Sequence, residues 1–149
     1  MKTESGFTLL ELMAVIGIIA ITATIAIPTF IGRLPAKRME SAASSVKAAF
    51  QVARLSAIKE NTSAILQFDL NDESYSIRVS GRLIKHEKLP AGVDLEKVLN
   101  QTTSASVDMI SFNSRGFPTP PVDVFLQNTA GATWTIQVNM TGSSRVIRG

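Results

Sequence analysis

Glu11 is the only charged residue from Phe7 to Ile31, a segment in which 18 of 25 residues are apolar. A carboxylate inside a membrane helix costs on the order of 2.5–3.5 kcal/mol on insertion scales, so such a residue usually has a partner. Glu11 could lie near a membrane interface, where its carboxylate reaches water or becomes protonated. Alternatively, it could pair with an ammonium group one helical turn away.

Cleavage of the chain between Gly6 and Phe7 would create such an ammonium group. Phe7 would then be the N-terminal residue, and Glu11 would be the fifth residue of the shortened chain. The new ammonium could pair with Glu11 of the same chain or with Glu11 of a neighbouring subunit.

The other reactive side chains form no catalytic or metal-binding pattern. The sequence has no cysteine, which excludes disulfides, thiolate metal sites and a cysteine nucleophile. The single histidine, His86, stands between Lys85 and Glu87 in a charged stretch and is expected at the surface. The carboxylates are scattered, and no glycine-rich phosphate loop is present. We therefore expect no enzymatic activity, catalytic residue, metal or cofactor.

The element that must position Glu11 is an apolar helix. The chain has 149 residues and a net charge of +3, and its uncharged run Leu12–Gly32 is 21 residues long. About 20 helical residues cross a bilayer core, so this run can span a membrane. A secretory signal peptide with a cleavage site at Thr24–Ala26 is the alternative. Its apolar core would be only about 7–15 residues long, and it would have no use for Glu11.

The segment Gly6–Glu11, with the sequence GFTLLE, precedes the apolar run and resembles the processing site of type IV pilins. The resemblance implies that residues 1–6 are a leader peptide. It also implies that a prepilin peptidase cuts between Gly6 and Phe7 and that Phe7 is then N-methylated. By the same resemblance, Glu11 takes part in assembly and Pro28 kinks or weakens the helix.

Charge alone leaves the orientation of the span open. Lys2 favours a cytoplasmic N-terminus, whereas Arg33, Lys37 and Arg38 just after the span favour the reverse. The resemblance implies a single-pass protein of the bacterial inner membrane with a cytoplasmic N-terminus and a periplasmic head that joins a fibre. Its implied partners are the prepilin peptidase, inner-membrane lipid and other pilins or pseudopilins.

Residues 33–60 predict an amphipathic helical stem, after a local break near Gly32 and Pro35. Its apolar stripe has helical spacing and consists of Ala42, Val46, Ala49, Phe50, Ala53 and Ala57. The helix should end near Asn61. The basic residues of the stem would face solvent and anionic lipid head groups, or form salt bridges to other pilins.

Residues 61–149 predict a β-rich head. Apolar residues alternate over 64–70 and 75–79, which predicts a hairpin, and Trp134 is expected in the core. Further strands are expected over 83–89, 107–112, 122–126, 133–140 and 146–147. Residues 90–106 show no period and are expected to form a loop with a short turn or helix. The predicted fold class is α+β: a long N-terminal helix, membrane-spanning over residues 7–32, whose second half packs on an antiparallel sheet.

The order of these elements resembles the GspH/FimT group of pilin-like proteins. The resemblance rests on Ile110, Phe112 and Gly116 in one segment and on an apolar strand before the stretch Gly142–Arg148. It implies a structural minor pilin or pseudopilin that primes or caps a type IV pilus or a type II secretion pseudopilus.

The alternative function is that of a DNA-binding minor pilin in natural DNA uptake. Arg145 and Arg148, expected in an exposed loop, would then contact phosphates. DNA-binding members of the group carry Gly-Arg-x-Arg at this end. Here Ser143 and Ser144 interrupt that spacing, which argues against nucleic acid as a partner.

Overall fold

The computed structural model describes residues 7–149, with the side chains of residues 28–30 left out. The leader 1–6 and its cleavage residue Gly6 lie outside the described residues. Within them, one helix, α1 (Leu9–Lys59), precedes nine strands. The chain divides into a first unit that ends at Leu34 and a second unit, Pro35–Gly149.

The strands form two antiparallel sheets, both in the second unit. They are β1 (Ala64–Asp69), β2 (Ser74–Val79), β3 (Arg82–Lys88), β4 (Val93–Asn100), β5 (Met109–Phe112), β6 (Pro118–Thr119), β7 (Val122–Asn128), β8 (Thr133–Val138) and β9 (Ser144–Arg148). One sheet has the order β3-β2-β1-β5-β6 and the other β4-β7-β8-β9. The α+β class is confirmed, with two sheets in the head where the sequence predicted one.

Helix α1 is continuous through Gly32 and Pro35, where the sequence predicted a local break. A proline removes only one backbone hydrogen bond, and the helix is held by many turns on either side of Pro35, so it stays unbroken there. α1 also continues through Pro28, and a kink there stays a prediction. The helix ends where expected: Asn61 has φ 48°, and the amide of Thr62 donates to the carbonyl of Ala57. This hydrogen bond closes a Schellman cap.

The predicted apolar stripe of the stem is buried against both sheets. All six predicted residues are at most 1% exposed, and Met39 and Ala43 widen the stripe. They share one core with buried residues of the two sheets. The Phe50 ring contacts the sheet residues Phe68 and Phe112 in tilted and edge-on arrangements, with ring centroids 6.0 and 6.5 Å away. The packing of the second half of α1 on the sheet is thus confirmed.

The prediction of a loop over residues 90–106 is wrong, because Val93–Asn100 forms β4. Val93, Leu95 and Val98 are buried in this strand. The pairing of β4 with β7 shifts between Leu95 and Lys97, which is a β-bulge. The bulge inserts one residue and breaks the two-residue alternation, so the sequence shows no period there. Strand β6 was also missed, because two residues are too few for a pattern.

Three of the hairpin loops share one turn with the pattern Asn-x-x-Gly-x. The Asn side-chain oxygen accepts hydrogen bonds from the amides two and four residues later, and the Gly amide donates to the Asn carbonyl. Each Gly has a positive φ. These turns join β5 to β6, β7 to β8 and β8 to β9, and they span Asn113–Phe117, Asn128–Ala132 and Asn139–Ser143.

A polar network ties the helix to the first sheet. Ser45 on α1 and Tyr75 on β2 donate to the Glu87 carboxylate on β3, at 2.8 and 2.9 Å. The Lys85 ammonium lies 2.5 Å from the same carboxylate. Hydrogen bonds from Lys85, Ser45 and Tyr75 lower the pKa of Glu87 from 4.5 to about 2. The ionised carboxylate therefore stabilises the folded head.

We expect the head to lose stability as the pH falls from about 4.5 towards about 2. Above this window Glu87 is ionised in both states and its contribution is complete; below it, both states are protonated and the contribution is gone. Its side chain is 37% exposed, so the contribution is on the order of 1 kcal/mol. Thermal unfolding of the full chain in detergent, followed by Trp134 fluorescence, measures this loss.

In Glu87→Gln the acid-side loss should be flatter by that amount. Asp94→Asn, an exposed substitution on β4 outside the network, is the matched control and should keep the wild-type profile. An unchanged profile in Glu87→Gln would contradict this assignment.

Candidate assembly site

The first unit presents a helical span whose apolar side chains no other described residue covers. Residues Leu9–Ile27 have a mean hydropathy of 2.4, and none of this span is buried. Its 19 residues give a helix of about 28 Å, close to the thickness of a bilayer core. This span can therefore be covered by lipid or by other apolar helices.

Thr8 and Glu11 form a capping box at the start of α1. The Glu11 carboxylate accepts hydrogen bonds from the Thr8 amide and hydroxyl, both at 3.0 Å, and the Glu11 amide donates to the Thr8 hydroxyl at 3.2 Å. Glu11 thus has partners within its own helix, which the interpretation of the sequence missed. The sequence contains the signature of a capping box, which is Thr-x-x-Glu before an apolar run. Phe7, the expected mature N-terminus, immediately precedes this box and is exposed.

Arg145 and Arg148 lie on strand β9 rather than in the expected loop. The Arg145 guanidinium donates twice to Gln137 on β8, at 2.9 and 2.7 Å. The Arg148 guanidinium lies 4.8 Å from the ring centre of Trp134 and 3.9 Å from the Glu40 carboxylate on α1.

The two arginines point to opposite faces of the second sheet, because residues three apart on a strand alternate faces. Arg148 lies on the face that packs on the helix, and Arg145 lies on the outer face. The structure therefore does not bring them together into one phosphate-binding site.

The structure also places the remaining singled-out residues. His86 is exposed on β3, as expected. Trp134 is partly buried: it packs against the core and carries the Arg148 guanidinium over its ring. Ile110 and Phe112 are fully buried on β5.

Gly116 and Gly142 meet in space although they come from different turns. A Cβ added at Gly142 would lie 2.5 Å from the carbonyl oxygen of Gly116, closer than any side chain tolerates. The same Cβ would lie 3.2 Å from the Nε of Arg54 on α1. The two glycines therefore let two turns close on one arginine of the helix.

The family model for the type II transport protein GspH matches residues 42–142, from the buried stripe of α1 to the Gly142 turn. This chain belongs to the GspH family. Residues 1–27 also match the prokaryotic N-terminal methylation motif, which agrees with membrane anchoring and incorporation into a fibre. The GspH-family chain is accordingly a structural protein of the pilin-like type.

Two solved structures show the same fold. The minor pseudopilin EpsH of the Vibrio cholerae type II secretion system superimposes with a TM-score of 0.62 at 13% identity, covering 76% of this chain and 96% of that one. The type IV minor pilin FimU of Pseudomonas aeruginosa gives a TM-score of 0.57 at 14% identity, covering 72% and 91%. A search of the curated proteins finds no match for this GspH-family sequence.

We expect Gly142→Ala to destabilise this GspH-family head more than Gly131→Ala. Both glycines occupy the same turn position, with φ of 76° and 82°, so both variants share a left-handed cost of about 1–2 kcal/mol. Nothing lies within 4 Å of an added Cβ at Gly131, whereas Gly142 faces a backbone oxygen. Overpacking should add about 1–3 kcal/mol. Urea unfolding of both variants measures the difference, and equal losses would contradict the close approach.

Proposed function

We propose that this GspH-family protein is a minor subunit that primes or caps a type IV pilus or a type II secretion pseudopilus. The observation that carries the proposal is an uncovered apolar span, Leu9–Ile27, joined to a head of the GspH type. Such a span needs a bilayer before assembly and a helix bundle afterwards. The likeness of the head to a minor pseudopilin and a minor pilin supports a minor role.

The proposed pathway begins at the inner membrane. Prepilin peptidase cuts between Gly6 and Phe7 and leaves Phe7 to be N-methylated, with the head in the periplasm. The span then leaves the lipid and joins the helices of other pilins or pseudopilins. Small residues along the span allow close helix contacts: Ala14, Gly17, Ala20, Ala23 and Ala26.

Glu11 has two roles in this proposal. In the bilayer the Thr8–Glu11 box satisfies the carboxylate locally. During assembly the carboxylate recruits the Phe7 ammonium of a neighbouring subunit, and the attraction is strong because lipid and protein screen it little.

We expect Glu11→Leu to be processed normally but to be depleted from the fibre. Leucine removes the charge that is costly in lipid, so insertion and cleavage should be unimpaired. The amount in sheared fibres should fall at least about tenfold, which corresponds to about 1.4 kcal/mol of lost pairing. Mass spectrometry of membrane and fibre fractions from the native host measures both effects.

Gly6→Val is the control for processing and should remain in the membrane at full precursor mass. Wild-type protein from the fibre should lack residues 1–6 and carry a methyl group on Phe7. Glu11→Leu at wild-type abundance in fibres would exclude a recruiting role, and an intact Met1 in the fibre-associated protein would contradict the cleavage site.

DNA binding during uptake is the alternative function, and the opposite faces of Arg145 and Arg148 argue against it. We expect the full chain in detergent to bind duplex DNA only weakly, with a Kd of about 10⁻⁴–10⁻⁶ M at physiological salt. Arg145→Ala with Arg148→Ala should change this little. Anisotropy titrations over a range of salt concentrations measure it. Tight wild-type binding, with a salt slope that falls by about one unit per arginine removed, would favour the DNA-uptake function.

A further inference from the structure

Arg54 on α1 is held between two of the Asn-x-x-Gly-x turns. The turns Asn113–Phe117 and Asn139–Ser143 approach it with their glycines, and a Cβ at Gly116 would lie 3.0 Å from the Arg54 Nε. The side chain is half-buried as a result. The fold thus leaves a fitted space for a large cationic side chain on the surface of the head.

The hydrogen-bonding groups of the Arg54 guanidinium are incompletely satisfied. Its Nε is buried and has no hydrogen-bond partner, and Nη1 donates to the Gly142 carbonyl at a long 3.4 Å. Within residues 7–149 no carboxylate pairs with it. By contrast, Lys37 on the same helix pairs with Glu40 at 2.9 Å. The side chain is only half-buried, so a carboxylate of another subunit can approach the guanidinium and supply the counter-charge that is missing.

Exposed apolar residues lie on the helix and on the two turns that meet at this arginine. Ile58 is one helical turn after Arg54 and its Cδ1 would lie 2.7 Å from a Cβ at Gly116. Phe117 and Met140 belong to the two turns, and all three apolar residues are between 43% and 67% exposed. We call Arg54, Ile58, Phe117 and Met140 the Arg54 patch. A small inorganic anion would leave its apolar border uncovered, whereas a protein segment would cover it.

We propose that the Arg54 patch docks a neighbouring pilin-like subunit through a carboxylate side chain flanked by apolar residues, an inference that rests on the proposed function. The planar guanidinium fork can bind a carboxylate with two parallel hydrogen bonds. The apolar border excludes water from that pair and strengthens it. The unpaired cation and the exposed apolar area are thus complementary to one acidic, partly apolar segment.

Photo-crosslinking in the native host tests the proposal. p-Benzoylphenylalanine replaces Phe117 in the full chain, cells that assemble fibres are irradiated, and crosslinked peptides from sheared fibres are sequenced by mass spectrometry. We expect one peptide of another pilin-like subunit, with an Asp or Glu beside apolar residues. Arg54→Glu should reduce the crosslink at least tenfold, and Arg in place of the partner's carboxylate should restore it. A crosslinked peptide without a carboxylate, or a failed charge exchange, would overturn the proposal.

Arg54→Met separates docking from packing, because methionine fills similar volume without charge. We expect the melting temperature of the head to stay equal or rise, while the crosslink falls at least tenfold. Arg78→Met is the matched control: it removes an equal charge from an exposed arginine on β2 and should keep the wild-type crosslink.

The two proposals fail in distinguishable ways. Wild-type protein that is absent from sheared fibres contradicts the proposed function itself. Wild-type protein that is present, with an unchanged crosslink in Arg54→Met, overturns only the Arg54 patch.

Discussion

The burial of one face of α1 against both sheets decides the arrangement of the head. Five of the eight buried residues on this helix face are alanines, so small side chains form most of the surface that packs on the strands. Apolar burial has no direction and would tolerate some rotation of the helix. Arg38 and Ser45 remove that freedom, because each makes a polar contact with a different part of the head. The apolar stripe thus holds the helix, and the polar contacts set its register.

Features with a strong local period could be predicted from the sequence. The stripe Ala42–Ala57, the helix end at Asn61 and the hairpin of β1 and β2 all follow from regular spacing of apolar residues. Strand β4 could not be predicted in this way. Its bulge near Glu96 places the next buried residue three positions after Leu95 instead of two, which breaks the alternation. The second sheet could not be predicted either. The pairing of strands depends on contacts between residues far apart in sequence, and a local pattern of apolar residues does not report those contacts.

The candidate site was predictable only in part. The GFTLLE segment marked Glu11, but its link to Thr8 needed attention to capping rather than to charge. The shared Asn-x-x-Gly-x turns were also readable in the sequence as a short repeat. The approach of two of these turns to Arg54 could not be predicted, because the contact joins an arginine to glycines more than 60 positions away.

The position of the two C-terminal arginines has a consequence for how such heads can change function. Arg145 and Arg148 are separated by two residues and therefore lie on opposite sides of β9. In a Gly-Arg-x-Arg sequence the arginines are separated by one residue, and a strand presents both on the same side. A single deletion between Arg145 and Arg148 would convert one arrangement into the other while keeping both arginines. In this fold, two arginines on the last strand lie on the same side when they are two positions apart and on opposite sides when they are three apart. One insertion or deletion near the end of the chain can therefore create or remove a paired cationic site.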